Sequence, residues 1–506
     1  MTEAAIIDAA QRESALDISR SFCVQAPAGS GKTELLTQRL LKLLLVSDRP
    51  EDILAFTFTR KAAFEMRQRL LFSLRQENPD KLTELTNKLA RQVLERDTAM
   101  QWHLLENPQR LQISTIDSFN VAICAQLPVV SGLGSRVEIV EDARLLYQDA
   151  IASLFKRLEG EDDSVTQALA VLLQHLDNNL GRAQELLSHL LQKRDQWLLH
   201  ILRMQHRGNM QQELGKNLQL TVSEALQDAA EQLEPYTSEL MALLQFAAEN
   251  LQRDGNDSLS RFSFSADLPA SSPEHCLAWQ AIASFLLTNE GSLRKAKGIT
   301  VKNGFPAKGS GKTSTEKQLF EERKSQFASL LDKLAEYPEI VAALQAILIM
   351  PALDYQQDEW QILESLSTVL LELVKELNIS LQQQSQADYI HLSASALDAL
   401  GHEESISDLA LRMDYRIKHI LVDEFQDTSQ QQIELLKRLT RGWEKDDGRT
   451  LFIVGDGMQS CYGFRNADVG LFLRARDKGI GPVSLEKLQL QMNFRSHSGL
   501  VQEINH

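Results

Sequence analysis

A glycine-rich segment that ends in Gly-Lys-Thr carries the strongest chemical signal in the sequence. It follows the strand-like run Phe22–Gln25 and precedes a helical pattern at Glu34–Leu45. The segment reads Ala26-Pro27-Ala28-Gly29-Ser30-Gly31-Lys32-Thr33. Glycines let backbone N–H groups turn toward phosphates, the helix N-terminus adds partial positive charge, and the lysine reaches the β- and γ-phosphates. The context predicts an ATP-binding P-loop, with Ala26 in place of its first glycine and the Thr33 hydroxyl on Mg²⁺.

A second Gly-Ser-Gly-Lys-Thr occurs at Gly309–Thr313. No buried strand precedes it, and Pro306 occupies the first position of the pattern, so we predict that it binds no nucleotide. The surrounding segment Arg294–Thr313 has no acidic residue and six basic ones: Arg294, Lys295, Lys297, Lys302, Lys308 and Lys312. Either a mobile loop that contacts DNA phosphates or a solvated surface loop fits this composition.

Two adjacent carboxylates, Asp423 and Glu424, follow the apolar run Ile420–Val422. A carboxylate at the end of a buried parallel strand beside the P-loop strand can hold Mg²⁺, and we assign this role to Asp423. Hydrolysis also needs a group that orients or deprotonates the attacking water, and Glu424 is placed for it. The predicted cofactors are therefore ATP and Mg²⁺.

The elements that must position these groups are short buried strands alternating with helices. Predicted strands are Ser21–Ala26, Ile53–Thr59, Gln112–Ile116, His419–Glu424 and Leu451–Asp456. Such alternation is typical of a parallel α/β sheet. The long region between the third and fourth strands has leucines at helical spacing, at Leu169–Leu180 and again at Leu363–Leu377. The second set favours packing within a helical bundle over a short coiled-coil seam.

Composition narrows the class of protein. The 506 residues carry a formal net charge of −16, so any contact with DNA must be local rather than a bulk attraction. No apolar run is long enough for a membrane span, and the N-terminus lacks the pattern of a secretion signal, so we expect a cytoplasmic protein. The four cysteines are scattered and read as reduced thiols rather than metal ligands.

Several motifs resemble those of the UvrD/Rep helicases of superfamily 1. Asp423–Thr428 resembles D-E-x-Q-D, and Gly455–Arg465 resembles G-D-x-x-Q-S-I-Y-x-[FW]-R. Thr57–Ala63 is similar to T-F-T-N-K-A-A, and Asn493–Ser496 is similar to N-Y-R-S. Gln11, 21 residues before Lys32, matches the glutamine that reads adenine in these enzymes.

The resemblance implies roles on the nucleotide. Gln11 would hydrogen-bond the adenine, and Phe494 would stack on it. Gln459 would couple the γ-phosphate to the DNA track, and Arg495 would act as an arginine finger on the transition-state charge. Lys32, Asp423 and Glu424 complete the implied catalytic set.

It also implies contacts with DNA. Phe58, Tyr462 and Phe464 would stack on unpaired bases, which suits tracking that ignores sequence. Thr59 and Arg465 would contact the DNA backbone or help to fix these aromatics. Core packing is the alternative for each aromatic side chain.

Two departures from the family pattern bear on these roles. Glu34 stands where many relatives have an arginine that stacks on the base. Ser114–Phe119 resembles T-F-H-S-F, but Asp117 replaces the histidine and removes one expected DNA contact.

Three short matches point to the RecB/AddA helicase–nuclease branch. They are Arg194–Trp197, Asn303–Pro306 and Ala387–Tyr389, the last ahead of Leu397–Leu400. The branch implies a 3′-to-5′ ATP-dependent DNA helicase that serves recombination and double-strand-break repair. It acts on single-stranded DNA and duplex ends, and it carries a nuclease further toward the C-terminus. The branch also implies one partner protein, a second helicase–nuclease subunit.

The expected architecture is a RecA-like α/β motor domain interrupted by a large all-helical insertion. Residues 1–125 and 395–484 would form the motor domain, 126–394 the insertion, and 485–506 the start of a second RecA-like domain. Because ATP in these motors lies between two domains, we expect residues 1–506 alone to bind ATP weakly and not to separate strands. The alternative is a non-catalytic DNA-binding or partner-docking piece that retains the nucleotide cradle. DNA-stimulated ATPase activity would distinguish the two.

Overall fold

A computed structural model describes most of the chain. The described residues are 8–76, 83–127, 137–160, 163–207, 210–253, 255–351, 357–402, 405–456, 469–492 and 494. They form two compact units, one from Met1–Leu199 with Thr368–His506 and the other from His200–Ser367.

The first unit is built on a six-stranded sheet. The strands are β1 (Phe22–Gln25), β2 (Ile53–Thr57), β3 (Gln112–Thr115), β4 (Glu138–Ile139), β5 (Gln386–Ala387), β6 (Gly401–His402), β7 (Ser405–Ile406), β8 (His419–Val422), β9 (Thr450–Gly455) and β10 (Glu486–Gln489). The large sheet has the order β10-β1-β9-β8-β2-β3, and β4-β5 and β6-β7 form two small sheets. All neighbours in the large sheet run parallel. Because β2, β8 and β9 are buried along their whole length, their sequences read as apolar runs, and the predicted parallel α/β sheet is confirmed.

Helices cover the sheet and make up most of the rest of the chain. They are α1 (Ala9–Ala15), α2 (Lys32–Val46), α3 (Arg60–Arg75), α4 (Glu84–Met100), α5 (Ile116–Gln126), α6 (Arg144–Lys156), α7 (Ser164–His175), α8 (Leu180–Gln192), α9 (Arg194–Arg207), α10 (Met210–Leu233), α11 (Thr237–Arg253), α12 (Cys276–Leu286), α13 (Ser314–Ala335), α14 (Pro338–Leu348), α15 (Gln357–Gln384), α16 (Tyr389–Leu400), α17 (Asp408–Arg416), α18 (Gln430–Leu439) and α19 (Val469–Lys478). One apolar cluster includes Leu36 and Phe452 and another includes Phe56 and Ile453. Because Phe452 and Ile453 are successive residues of β9, they face opposite sides of the sheet, which is therefore packed on both faces.

Two details of the sheet differ from the sequence interpretation. Residues 486–489, expected to begin a second domain at 485, form the edge strand β10, which pairs in register with β1 from Phe22↔Glu486 to Gln25↔Gln489. Leu490, which follows β10, is fully buried in the core of the first unit. The strand that carries Asp423 does not neighbour the P-loop strand, because β9 lies between β8 and β1. The order of parallel strands in a sheet depends on the crossover connections between them. The spacing of motifs in the sequence does not reveal these connections.

The second unit is helical, with α10 to α14 around an aromatic stack. The ring centroids of Phe285 and Phe327 lie 4.5 Å apart, and those of Phe305 and Phe327 lie 4.9 Å apart. Phe305 and Ile299 belong to the basic segment, and both are buried. Gly304 makes this possible, since a Cβ there would come within 2.5 Å of the Ala247 carbonyl oxygen. The segment is therefore anchored to the core, with Lys295, Lys297, Lys302, Lys308 and Lys312 exposed.

The described residues bear on two further predictions, those about membrane-spanning helices and about the cysteines. No helix in them is both long and apolar enough to cross a membrane. Cys23, Cys124 and Cys276 are free thiols and buried. Burial raises the pKa of Cys23 to about 12, so this thiol is unreactive at neutral pH.

Candidate functional site

The Gly-Lys-Thr segment forms a turn between β1 and α2. Its path starts at Ala26, whose N–H donates to the Gly455 carbonyl at 2.9 Å. Gly29 and Gly31 have φ of 79° and 81°, in the left-handed region that glycine adopts without steric cost. Gly31 is the N-cap of α2, and Lys32 is its first residue. The turn thus delivers a helix N-terminus and a lysine to one place, as the sequence predicts.

Lys32 meets Glu424 at this turn, although 392 positions separate them in sequence. The Lys32 Nζ atom lies 3.2 Å from each carboxylate oxygen of Glu424. Glu424 has a φ of 51°, an uncommon conformation for a residue with a side chain. Such backbone strain concentrates at functional sites. The two residues that sequence reasoning assigned to phosphate binding and water activation are therefore in contact.

Asp423 directly follows β8, and its N–H donates to the Phe56 carbonyl at 2.9 Å. Burial and the neighbouring Glu424 raise the pKa of Asp423 to about 6, and Lys32 offsets only part of this effect. A divalent cation would favour the ionised form of this carboxylate. No cluster of three or more His, Cys, Asp or Glu able to hold a metal occurs among the described residues. The Asp423 carboxylate with the Thr33 hydroxyl suits Mg²⁺, because this ion is usually bound by few protein ligands together with substrate phosphates and water.

Gln426 connects this site to the end of β9 and was not singled out from the sequence. Its Nε2 donates to Glu424 Oε2 at 2.7 Å, and its Oε1 accepts the Asp456 N–H at 2.9 Å. Gly455 leaves room for it, since a Cβ at that position would stand 2.7 Å from Gln426 Oε1. The glutamine of the D-E-x-Q-D motif was the available signal.

Two buried polar atoms without a described hydrogen-bond partner belong to residues of the part of the site that is predicted to bind the nucleotide. They are Gln11 Oε1 and Ser30 Oγ. A buried acceptor without a partner is costly, and the amino group of an adenine would satisfy Gln11. Phe494 lies at the same place, with its N–H donating to the Gly29 carbonyl at 2.8 Å and its side chain 55% exposed. These residues fit a nucleotide base beside the P-loop.

Glu34, which stands where relatives carry arginine, is engaged elsewhere. Its Oε1 accepts from the hydroxyls of Thr86 at 2.5 Å and Thr83 at 2.8 Å, and from Gln38 Nε2 at 3.1 Å. The carboxylate thus joins the first turn of α2 to α4. A role for Glu34 in stacking on a base is not supported by these contacts.

The residues implied in DNA binding are described only in part. Phe58 and Thr59 follow β2 and are half-buried, and the Thr59 hydroxyl caps α3 by accepting the Ala62 N–H at 3.1 Å. Asp117 lies in the first turn of α5. The remaining predicted residues lie outside the described part of the chain: Gln459, Tyr462, Phe464, Arg465 and Arg495.

A cleft of about 550 Å³ opens at the carboxyl ends of β2, β3 and β8. Phe58 and Asp117 line it, together with Asp423 and Glu424. Its other acidic lining residues are Glu141, Asp142, Asp195 and Asp388. Because Arg144 is the one basic residue of this described lining against seven acidic ones, a DNA phosphate backbone is not expected inside it, whereas base edges that donate hydrogen bonds are compatible with it.

Two of the short branch motifs meet beside this cleft. Arg194 donates from Nη1 and Nη2 to the two carboxylate oxygens of Asp388 at 2.8 and 2.5 Å. Asp388 also accepts the Tyr147 hydroxyl at 2.6 Å and the His391 N–H at 2.9 Å, and the ion pair is buried. The motifs therefore share one structural function, which is to join α9 to the start of α16.

The second Gly-Ser-Gly-Lys-Thr has a different geometry. Gly311 has a φ of −68°, and α13 begins only at Ser314. The carboxylate of Glu316 accepts the Lys312 N–H at 2.7 Å and the Thr313 N–H at 3.2 Å. Because this side chain fills the place that a phosphate takes in a P-loop, the contacts agree with the prediction that no nucleotide binds there.

Comparison with known proteins gives one family and a set of relatives. The family described as "UvrD/REP helicase N-terminal domain" matches residues 7–479. A protein from Desulfitobacterium hafniense, named as one chain of an ATP-dependent helicase/nuclease, is 25% identical over 529 residues, covering 98% of this chain and 35% of its own length. The protein of the same name from Lactobacillus delbrueckii is 28% identical over 511 residues, covering 96% and 38%. The chain therefore spans little more than a third of the length of these curated relatives.

Proposed function

The chain belongs to the UvrD/Rep helicase family, and from this membership and the geometry above we propose that it contains the ATP-hydrolysing motor domain of a DNA helicase. The observation that carries the proposal is the contact of Lys32 with Glu424 at the carboxyl edge of the sheet, 3.2 Å from Nζ to each carboxylate oxygen. A phosphate-binding lysine and a water-activating carboxylate must act on the same γ-phosphate, and here they share one place.

The proposed reaction uses this ion pair as its starting state. Lys32 leaves Glu424 for the β- and γ-phosphates of ATP, and the released carboxylate orients the attacking water and accepts its proton. Asp423 and Thr33 would hold Mg²⁺, which neutralises charge on the phosphates when bound. Gln426 holds the Glu424 carboxylate at 2.7 Å and so limits its movement when Lys32 departs. The Gln11 amide would read the adenine.

We further propose the architecture and setting expected from the sequence. Residues 1–125 and 395–484, together with the edge strand β10, form a RecA-like motor domain, 126–394 a helical insertion, and a second RecA-like domain completes the motor. The motor would track single-stranded DNA in the 3′-to-5′ direction, in the cytoplasm, during recombination and double-strand-break repair. The relatives are named as one chain of a helicase/nuclease, which supports a nuclease and a partner chain in the whole protein.

The test is ATP hydrolysis with and without single-stranded DNA, in a protein that holds both motor domains. Lys32→Ala should abolish nucleotide binding or turnover, because the only cation in contact with Glu424 among the described residues is removed. Lys312→Ala is the matched control, since the same five-residue motif surrounds it and its N–H is already bonded to Glu316. Equal losses from the two substitutions, or hydrolysis that DNA does not stimulate, would contradict the proposal.

A further inference from the structure

Asp8 gathers four hydrogen bonds from two distant parts of the chain. Its carboxylate accepts Arg12 Nε at 2.7 Å and Arg12 Nη2 at 3.1 Å. It also accepts the backbone N–H groups of Gln491 at 2.8 Å and Met492 at 3.0 Å, more than 480 positions later. The residue is 1% exposed. A buried carboxylate with this many donors fixes its partners firmly, because charge-assisted bonds are the strong ones.

The chain that Asp8 holds continues directly to the base site. Two residues after Met492, Phe494 donates its N–H to the Gly29 carbonyl at 2.8 Å. Gln491 and Met492 are thus bonded to Asp8, and Phe494 is bonded to the P-loop. Because over half of the surface of Phe494 is exposed, these backbone bonds hold the residue where packing contributes little.

Arg12 connects the same carboxylate to the same ring. Its Nη2 donates to the Ser30 carbonyl at 2.6 Å, and its Cζ lies 5.0 Å from the centroid of the Phe494 ring. Both side chains approach Gly31, where a Cβ would meet each of them at 3.4 Å. The guanidinium therefore links Asp8, the P-loop turn and the aromatic ring in one network.

We propose that Asp8 is a positioning residue for recognition of the nucleotide base, acting on Phe494 through Arg12 and through the backbone N–H groups of Gln491 and Met492. This rests on the proposed function, in which Phe494 stacks on adenine. The phosphate cradle depends on Asp8 only indirectly: Arg12 bonds the Ser30 carbonyl, whereas the left-handed glycines of the turn and the Lys32–Glu424 contact do not involve Asp8. Loss of Asp8 should therefore weaken binding of the base and leave binding of the phosphates unchanged.

The experiment compares two ligands on the 506-residue chain: ATP with Mg²⁺, and inorganic tripolyphosphate with Mg²⁺. Asp8→Ala should lower the affinity for ATP about tenfold, the scale of one charge-assisted hydrogen bond, and change that for tripolyphosphate less than about twofold. Asp8→Asn, which keeps one acceptor oxygen, should show a smaller loss of ATP affinity. Asp17→Ala is the matched control, because the Asp17 carboxylate bonds Ser19 and should leave both affinities unchanged when removed.

Two further measurements separate positioning from a general loss of structure. Asp8→Ala should accelerate hydrogen exchange of the Gln491 and Met492 amides, and adding it to Phe494→Ala should cause no further loss of ATP affinity. Equal losses for ATP and tripolyphosphate, an unchanged ATP affinity, or additive effects with Phe494→Ala would overturn the inference. If wild-type protein binds ATP no tighter than tripolyphosphate, the base site and this inference are wrong, whereas the proposed function stands or falls on the DNA-stimulated hydrolysis measured separately.

Discussion

The buried ion pair of Arg194 and Asp388 allows the most quantitative prediction about this fold. Asp388→Ala removes four hydrogen-bond acceptor contacts and leaves the Arg194 guanidinium buried beside Tyr147 without its carboxylate. Breaking a buried pair by removal of one partner costs about 3–5 kcal/mol. Since domains unfold with about 5–15 kcal/mol, this is a large share of the free energy of unfolding.

The assay is urea unfolding of the 506-residue chain, followed by circular dichroism. With a slope of about 3 kcal/mol per molar urea, the midpoint of the first unit should fall by about 1–1.7 M. Glu486→Ala is the control, because it breaks the Arg20–Glu486 pair, whose side chains are 47% and 50% exposed. An exposed pair contributes about 0–1 kcal/mol, so its midpoint should move by less than about 0.3 M.

The same pair makes a prediction about pH. Burial alone would raise the pKa of Asp388, but the charge and hydrogen bonds of Arg194 and the Tyr147 hydroxyl outweigh it and lower the pKa to about 2. The ordinary value is 3.8, so the ionised carboxylate contributes about 2 kcal/mol of stability above pH 4. This contribution is lost as pH falls from about 4 to about 2. Equal midpoints for Asp388→Ala and Glu486→Ala at pH 7 would refute the reasoning.

Three other outcomes are expected. Glu424→Gln should keep binding of ATP and Mg²⁺ but lower hydrolysis at least about 100-fold, because an amide cannot accept the proton of water; phosphate release near the wild-type rate would contradict this. Replacement of Lys295, Lys297, Lys302 and Lys312 by Gln should weaken DNA binding and flatten its dependence on salt, whereas an unchanged salt slope would favour a solvated surface. Burial raises the pKa of Asp195 to about 6 against partial compensation by Arg194, so wild-type stability should fall as pH rises from about 4 to 6. Asp195→Asn should therefore raise the free energy of unfolding, measured by urea, by up to about 3 kcal/mol at pH 7 but not at pH 4, and an equal change at both pH values would contradict this assignment.

Local chemistry made part of the structure predictable from the sequence. The P-loop turn could be predicted because strand, glycines, lysine and helix are contiguous, and only glycine adopts the φ of Gly29 and Gly31 without cost. The strand before Asp423 could be predicted because it is buried along its whole length and its last three residues, Ile420–Val422, are apolar. In both cases the signal and its cause lie within a short stretch of sequence.

The parts that could not be predicted depend on contacts between distant residues. Crossover connections decide the strand order, which places β9 between β1 and β8. They also decide that β10 belongs to the large sheet. The bonds of Asp8 to Gln491 and Met492 involve backbone groups, which carry no sequence signature. The basic segment Arg294–Thr313 reads as a loop because of its glycines and lysines, and only packing of Phe305 in an aromatic stack reveals that it is anchored.

The arrangement around Gln426 bears on how hydrolysis could reach the DNA side of the motor. Its amide contacts Glu424 through Nε2 and the backbone of Asp456 through Oε1, so one side chain spans from the carboxylate proposed to activate water to the end of β9. Gly455 admits no Cβ there, which means that β9 cannot move toward Glu424 without displacing this amide. When Lys32 leaves Glu424 for phosphate, the Glu424 carboxylate can shift only if the Gln426 amide moves with it or the chain that leaves β9 at Asp456 moves. That chain leads into the motif Gly455–Arg465, which the sequence predicts to couple hydrolysis to DNA, so Gln426 contacts both the predicted catalytic carboxylate and the start of that motif.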